Sequence, residues 1–147
     1  MPGKAFFDTN VLIYVVARDD PRSTQAEELL ASGGVLSVQI LNEFASVARR
    51  KILMSWSEVT EALGAFRVLC PSPLPITTEM HEAALKIAEK HGYNIYDALV
   101  VSAALEAGCA TLYSEDLYDG QTIDGQLTIR NPFVGSSASN RQLQISS

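Results

Sequence analysis

Hydrophobic positions along the chain alternate between short solid runs and longer stretches at helical spacing. Ala5-Phe6-Phe7 is a compact apolar run that stops at Asp8-Thr9-Asn10. Val11, Leu12, Val15 and Val16 then recur at three- and four-residue intervals, so a buried strand feeds directly into a helix. Asp20-Pro21 breaks that helix, and a second starts near Ser23, carries Ala26, Leu29 and Leu30, and ends at Gly33-Gly34. Val35, Leu36 and Val38 predict a second strand, followed by a helix whose apolar stripe is Leu41, Phe44, Ala45, Ala48 and Ile52. Ser55-Trp56-Ser57-Glu58 has the spacing of a capping box and opens a helix running through Phe66. Val68-Leu69-Cys70 predicts a short strand, and Pro71, Pro73 and Pro75 an extended connection. A helix over 79–90 carries Ala83, Ala84, Ile87 and Ala88 and stops at His91-Gly92. The stretch 97–107 is apolar almost all round, as in a helix covered on both sides. Strands over 110–113 and 127–129 complete the pattern.

Strands alternating with helices predict an α/β fold with a mostly parallel sheet covered on both faces. In such sheets ligands bind at the carboxyl ends of the strands, where strand order reverses. The 147 residues suit one domain, drawn over 1–134, and the Ser-, Asn- and Gln-rich stretch 135–147 reads as a flexible tail. A hydrophobic content of 47% supports a core without disulfides. Cys70 and Cys109 lack ligand-like spacing and read as core thiols in a reducing cytoplasm. The opening MPGKAFFD has no signal-peptide pattern and no apolar stretch reaches membrane-span length, which together predict a cytoplasmic protein with no membrane association. A net charge of −6 opposes non-specific nucleic-acid binding. That objection weakens if acids cluster around cations, because a bound ion reverses the local charge.

Four acids, Asp8, Glu43, Asp97 and Asp116, stand where an apolar segment changes into another element. Each has a purely structural reading. Asp8 suits a helix N-cap, Glu43 a solvated helix face, Asp97 a capping pair with Asn94, and Asp116 a turn. Glu115 and Asp119 compete for any role given to Asp116. Taken together, they point to one sheet edge, where crowded carboxylates raise one another's pKa unless a divalent cation offsets them. Oxygen-only donors suit Mg²⁺ or Mn²⁺, and the lack of a His or Cys cluster argues against zinc.

Several runs of the sequence resemble the motifs of PIN-domain proteins, particularly VapC-type ribonuclease toxins. Phe7-Asp8-Thr9-Asn10-Val11-Leu12-Ile13-Tyr14 is similar to their opening motif, and Leu36-Ser37-Val38-Gln39 through Asn42-Glu43-Phe44 to the second. Tyr96-Asp97-Ala98-Leu99-Val100 with Ala103-Ala104 resembles the third, and Leu112-Tyr113-Ser114-Glu115-Asp116-Leu117 the last, with Ser in place of the commoner Thr. The likeness spans roughly residues 5–130. It implies a PIN-like three-layer α/β/α sandwich and an acidic site of Asp8, Glu43, Asp97 and Asp116 that is both catalytic and metal-binding, for one or two Mg²⁺ or Mn²⁺ ions. Asn10, Ser37 and Ser114 would be supporting polar residues, and Asp119 the family's further acid. The implied activity is endoribonuclease cleavage of RNA to 5′-phosphate and 3′-hydroxyl ends by a toxin held by a cognate antitoxin, with homodimer formation also expected.

Arg49-Arg50-Lys51 is the densest basic run and reads either as a solvated helix end or as an RNA contact. His81 and His91 read as surface residues, and Trp56 as a helix-pair anchor or a partner hot spot. The helices before Gly33 and through Phe66 are candidates for an antitoxin groove. A PIN fold reduced to an RNA- or protein-binding module is an alternative that the presence of all four acids opposes. A receiver-like phospho-acceptor domain would need an acid pair after the first strand and a late Lys, whereas Thr9 follows Asp8 and no Lys lies near Tyr113 or Ile129. A haloacid-dehalogenase-like phosphatase would want a second Asp where Asn10 stands.

Overall fold

The computed structural model describes residues 3–133, so the predicted tail 135–147 lies outside the described residues. The strands are β1 (Ala5–Phe7), β2 (Thr111–Tyr113), β3 (Thr122–Ile123) and β4 (Leu127–Arg130), in the order β1-β2-β4-β3. β1 pairs with β2 and β2 with β4 in parallel, while β3 runs antiparallel to β4. The helices are α1 (Thr9–Val16), α2 (Ser23–Ala31), α3 (Val38–Val47), α4 (Trp56–Leu69), α5 (Thr78–His91) and α6 (Ile95–Glu106). α1 packs on α2 and α3, and α5 packs on α6, completing an α/β sandwich around the mostly parallel sheet. Among the described residues no helix is long and apolar enough to cross a membrane.

The core is continuous through the sheet. Phe6, Leu112 and Ile129 are fully buried on three neighbouring strands in register. α6 buries Ala98, Val100, Val101, Ala103 and Ala104, which accounts for its apolar circumference. Its Ser102 hydroxyl donates to the Met80 carbonyl at 2.9 Å, which satisfies the one hydroxyl in that run and ties α6 to α5. Phe44 of α3 meets Phe66 of α4 edge-on at 5.0 Å. Cys70 and Cys109 are buried free thiols whose pKa burial pushes up to about 11, so they act as packing residues.

Three elements differ from the sequence expectation. The strand predicted at 35–38 is reduced to isolated parallel bridges, Phe6 to Val35 and Ser37 to Leu74. Ser37 caps α3 by accepting the Ile40 amide at 3.4 Å, so helical geometry begins before a strand can lengthen. The predicted strand at 68–70 is the last turn of α4, because nothing before Pro71 breaks the helix and the Cys70 amide still reaches the Phe66 carbonyl at 2.8 Å. β3 is absent from the sequence reading, although Asp124-Gly125 marks it. Both residues have positive φ (54° and 65°) and the Gln126 amide donates to the Ile123 carbonyl at 3.0 Å, a type I′ hairpin turn. The capping box at Ser55–Glu58 forms in both directions, as its spacing predicts.

The chain returns to β1 from both sides. Val35 bridges to one flank of β1 and β2 pairs with the other, so strand order reverses there. Gly34 permits the close approach of the first flank: a Cβ at that position would lie 2.5 Å from the Phe7 ring and 2.7 Å from the Ala5 carbonyl oxygen. The carboxyl ends of β1 and β2 therefore open onto the crevice where an α/β sheet accepts ligands.

Candidate active site

Asp8 leaves β1 as the N-cap of α1, and one carboxylate oxygen accepts the Thr9 amide at 2.8 Å. Its other oxygen accepts the hydroxyl of Ser114, just beyond β2, at 2.7 Å. The capping role and the site position thus belong to the same residue. Ser114 is fully buried, and its Oγ also accepts the Asp116 amide at 3.2 Å, which sets the course of the loop that carries Asp116. Asn10 holds that loop from α1: its Nδ2 donates to Asp116 at 3.3 Å and its Oδ1 accepts the Glu115 amide at 3.3 Å.

Asp97 stands in the first turn of α6. Asn94 caps the helix by accepting the Asp97 amide at 2.8 Å, and donates its own amide to Asp97 Oδ2 at 3.0 Å. Glu43, on α3, is fixed by two groups that sequence reasoning did not single out. Thr9 donates its hydroxyl to Oε1 at 2.7 Å, and Gln39 donates to Oε2 at 2.9 Å. Gln39 also donates to the Tyr96 carbonyl at 3.3 Å, linking α3 to α6. Its place four residues before Glu43 was the available signal.

Asp8, Glu43, Asp97 and Asp116 line one cleft of about 220 Å³, with Thr9, Tyr96 and Arg50. Burial pushes the Asp8 carboxyl up to about 7, with further contributions from the charges of Asp116 and Glu43, against the lowering hydrogen bonds from Ser114 and Thr9. Asp116 reaches solvent, yet partial desolvation by the cleft walls and the charges of Glu115, Asp97 and Glu43 lift it to about 6. Asp97 is raised by burial and by the charge of Glu43. Among the described residues, no three of these carboxylates are drawn together into a ready metal-ligating group. The donor set nonetheless fits a hard divalent cation: it is all oxygen, and it crowds four like charges against the single guanidinium of Arg50, an excess that a cation would relieve.

Other candidates lie elsewhere. Ser37 is a helix cap outside the cleft lining, and Asp119 accepts the Asn131 amide at 2.8 Å in an exposed turn. Glu115 faces the opposite way: it accepts the Tyr14 hydroxyl and pairs at 3.2 Å with Arg22, which is 1% exposed and also holds Asp20 at 2.9 Å. That buried network anchors the Asp116 loop from behind. The basic run divides at the single π-helical turn Ala48–Ile52. Arg50 lines the cleft, Arg49 lies over the exposed Trp56 ring at 4.6 Å, and Lys51 lines a separate hollow with Asp19 and Asp20. Trp56 is therefore a surface ring against Arg49, not a buried helix anchor. His81 is exposed, whereas His91 is half-buried and stacks on Tyr93 at 5.8 Å.

Residues 5–118 match the family model described as PIN domain. No curated protein matches the sequence. Among solved structures, the chain resembles the Mycobacterium tuberculosis sarcin-ricin-loop-cleaving toxin VapC20 (21% identity, TM-score 0.62, covering 80% of this chain and 92% of that one). It also resembles a toxin–antitoxin complex from Klebsiella pneumoniae (19%, TM-score 0.66, 88% and 98%). A third similar structure is VapBC2 from Rickettsia felis bound to a DNA fragment from its promoter (18%, TM-score 0.61, 86% and 98%).

Proposed function

The chain belongs to the PIN domain family, and from that premise we propose that it is a divalent-metal-dependent endoribonuclease, the toxin of a toxin–antitoxin pair acting in the cytoplasm. The observation that carries the reading is the meeting of Asp8, Glu43, Asp97 and Asp116, from four separate segments, in one cleft at the carboxyl ends of β1 and β2. These four would hold one or two Mg²⁺ or Mn²⁺ ions. A cation bound there supplies Lewis acidity to the phosphoryl group and lowers the pKa of the attacking water.

The chain's own residues perform the rest. Thr9 and Gln39 hold both oxygens of Glu43, and Asn10 and Ser114 fix the turn that presents Asp116. Reacting groups are thereby positioned before substrate arrives. Arg50, the cation in the cleft lining, would steady a phosphate against the acidic surroundings. Attack of water on phosphorus with departure of the 3′ oxygen gives 5′-phosphate and 3′-hydroxyl ends. Two similar structures are toxin–antitoxin complexes, which supports a cognate antitoxin as partner, and homodimer formation belongs to the same reading.

The test is cleavage of total cellular RNA by the full chain with Mn²⁺, mapping new 5′ ends. Wild-type protein should create discrete 5′-phosphate ends that vanish in EDTA and in Asp8→Asn. Ends identical in wild type and variant would defeat the proposal.

A further inference from the structure

Outside the cleft, behind the loop that carries Asp116, lies the largest fully buried side chain among the described residues, that of Arg22. Its Nε and Nη2 donate to the two oxygens of Asp20 at 2.9 Å each, and its guanidinium lies over the Tyr14 ring at 4.0 Å. The remaining nitrogen, Nη1, donates to Glu115 Oε2 at 3.2 Å, while the Tyr14 hydroxyl donates to Glu115 Oε1. Both oxygens of Glu115 are thus held away from the cleft, one residue before an acid that lines it.

Stability alone is a poor reason to bury such a group. Desolvating a guanidinium and its acids offsets most of what their attraction returns, and an apolar cluster of the same volume would serve as well. What the planar fork adds is direction. Glu115 and Asp116 are adjacent, so the turn must sort two acids into two environments. Asn10 and Tyr14, four residues apart on one face of α1, take one acid each: Asn10 donates to Asp116 at 3.3 Å and Tyr14 to Glu115. Ser114 fixes the start of the turn through Asp8 and the Arg130 carbonyl. Arg22 completes the sorting by neutralising Glu115, a fifth carboxylate that would otherwise compete for a cation. Resting on the nuclease reading above, we propose that Arg22, with Tyr14, is a positioning residue that holds Glu115 out of the cleft and thereby sets Asp116 in it.

The test compares full-length wild type with Arg22→Met, Tyr14→Phe, Asp116→Asn, Asp8→Asn and the double variant Arg22→Met/Asp116→Asn. Ser102→Ala serves as control, because its lost hydrogen bond lies between α5 and α6. Mn²⁺ affinity is read without RNA from the paramagnetic resonance of the free ion. In parallel, kcat and KM are measured on an RNA oligomer spanning a mapped cleavage site, and deuterium exchange is followed over residues 114–119. Arg22→Met should raise the Mn²⁺ Kd and lower kcat by roughly 10- to 100-fold, with KM for RNA near the wild-type value. Tyr14→Phe should do the same to a smaller extent. The double variant should be no worse than Asp116→Asn alone, since Arg22 acts through Asp116. Exchange over 114–119 should quicken in Arg22→Met and Tyr14→Phe but not in Ser102→Ala, which should lose stability and keep its Mn²⁺ affinity. Wild-type Kd and kcat in both Arg22→Met and Tyr14→Phe, or a double variant whose loss multiplies the two single losses, would overturn the positioning role and leave the nuclease reading standing. Mn²⁺ binding and cleavage that ignore Asp8→Asn would overturn the nuclease reading, and the exchange arm would still decide whether Arg22 holds the turn.

Discussion

Asp8→Asn should stabilise the metal-free protein while abolishing its activity. Asp8 is 5% exposed and its carboxyl titrates near 7, compared with 3.8 when unperturbed. The folded state therefore holds that proton more tightly than the unfolded chain, and ionising Asp8 costs folding energy. The cost is complete above pH 7 and fades as pH falls through the folded value towards the unfolded one. Three decades of proton affinity set a ceiling of roughly 4 kcal/mol at pH 8, falling below about 2 kcal/mol at pH 5. The amide retains the oxygen that accepts the Thr9 amide. Its NH₂ can turn to Ser114 Oγ, which already accepts from Asp116 and has a second lone pair. Refitting that contact costs about 1 kcal/mol. Urea unfolding in EDTA should thus show the variant more stable by roughly 2–3 kcal/mol at pH 8, with an unchanged slope, and nearly level with wild type at pH 5. Added Mn²⁺ should recover stability in wild type, by about 2.7 kcal/mol at a hundredfold excess over Kd, and less in the variant. A variant less stable than wild type at pH 8, or an advantage that ignores pH, would show that the Asp8 carboxylate carries no such folding cost.

Arg22→Met keeps the side-chain volume but removes the guanidinium between Asp20 and Glu115, leaving them the Arg22 backbone amide and the Tyr14 hydroxyl; urea unfolding at pH 7 should show a loss of about 1–3 kcal/mol. Gly34→Ala drives a Cβ into the Phe7 ring and the Ala5 carbonyl, and its melting curve should report a loss of about 1–3 kcal/mol. Of the basic run, Arg50 lines the cleft whereas Arg49 is engaged with Trp56 and the Met54 carbonyl. The salt dependence of RNA binding should therefore weaken by about one phosphate contact in Arg50→Ala and stay unchanged in Arg49→Ala.

Three of the acids were legible because Asp8, Asp97 and Asp116 sit near the ends of elements, and such ends at the carboxyl edge of a parallel sheet converge; Glu43 stands in the middle of α3 and reaches the cleft only through the packing of that helix. Their local roles were legible too, since a helix start places an Asp both for capping and at the sheet edge: Asp8 caps α1, and Asp97 sits in the first turn of α6 paired with its cap Asn94. Less visible were partners fixed only by tertiary packing. Nothing in the order of residues joins Arg22 to Glu115, 93 positions apart, and only the fold turns Glu115 away from the cleft and its neighbour Asp116 into it. The basic run reads as one patch, but a π-helical turn ending at Leu53 in the left-handed region (φ 63°) sends its three side chains to different surroundings. The apolar run 35–38 forms no strand for a related reason: only Leu36 of its apolar residues is fully buried, and Ser37 starts a helix among them.

The central claim is that four carboxylates from distant segments grip a cation between them. Diffraction from crystals soaked in millimolar Mn²⁺, recorded at the manganese absorption edge, tests it most directly. One or two anomalous peaks should appear within bonding distance of Asp8 and its three partners, and be lost in Asp8→Asn. Peaks only at other surface acids, or none while the four side chains keep their positions, would contradict it.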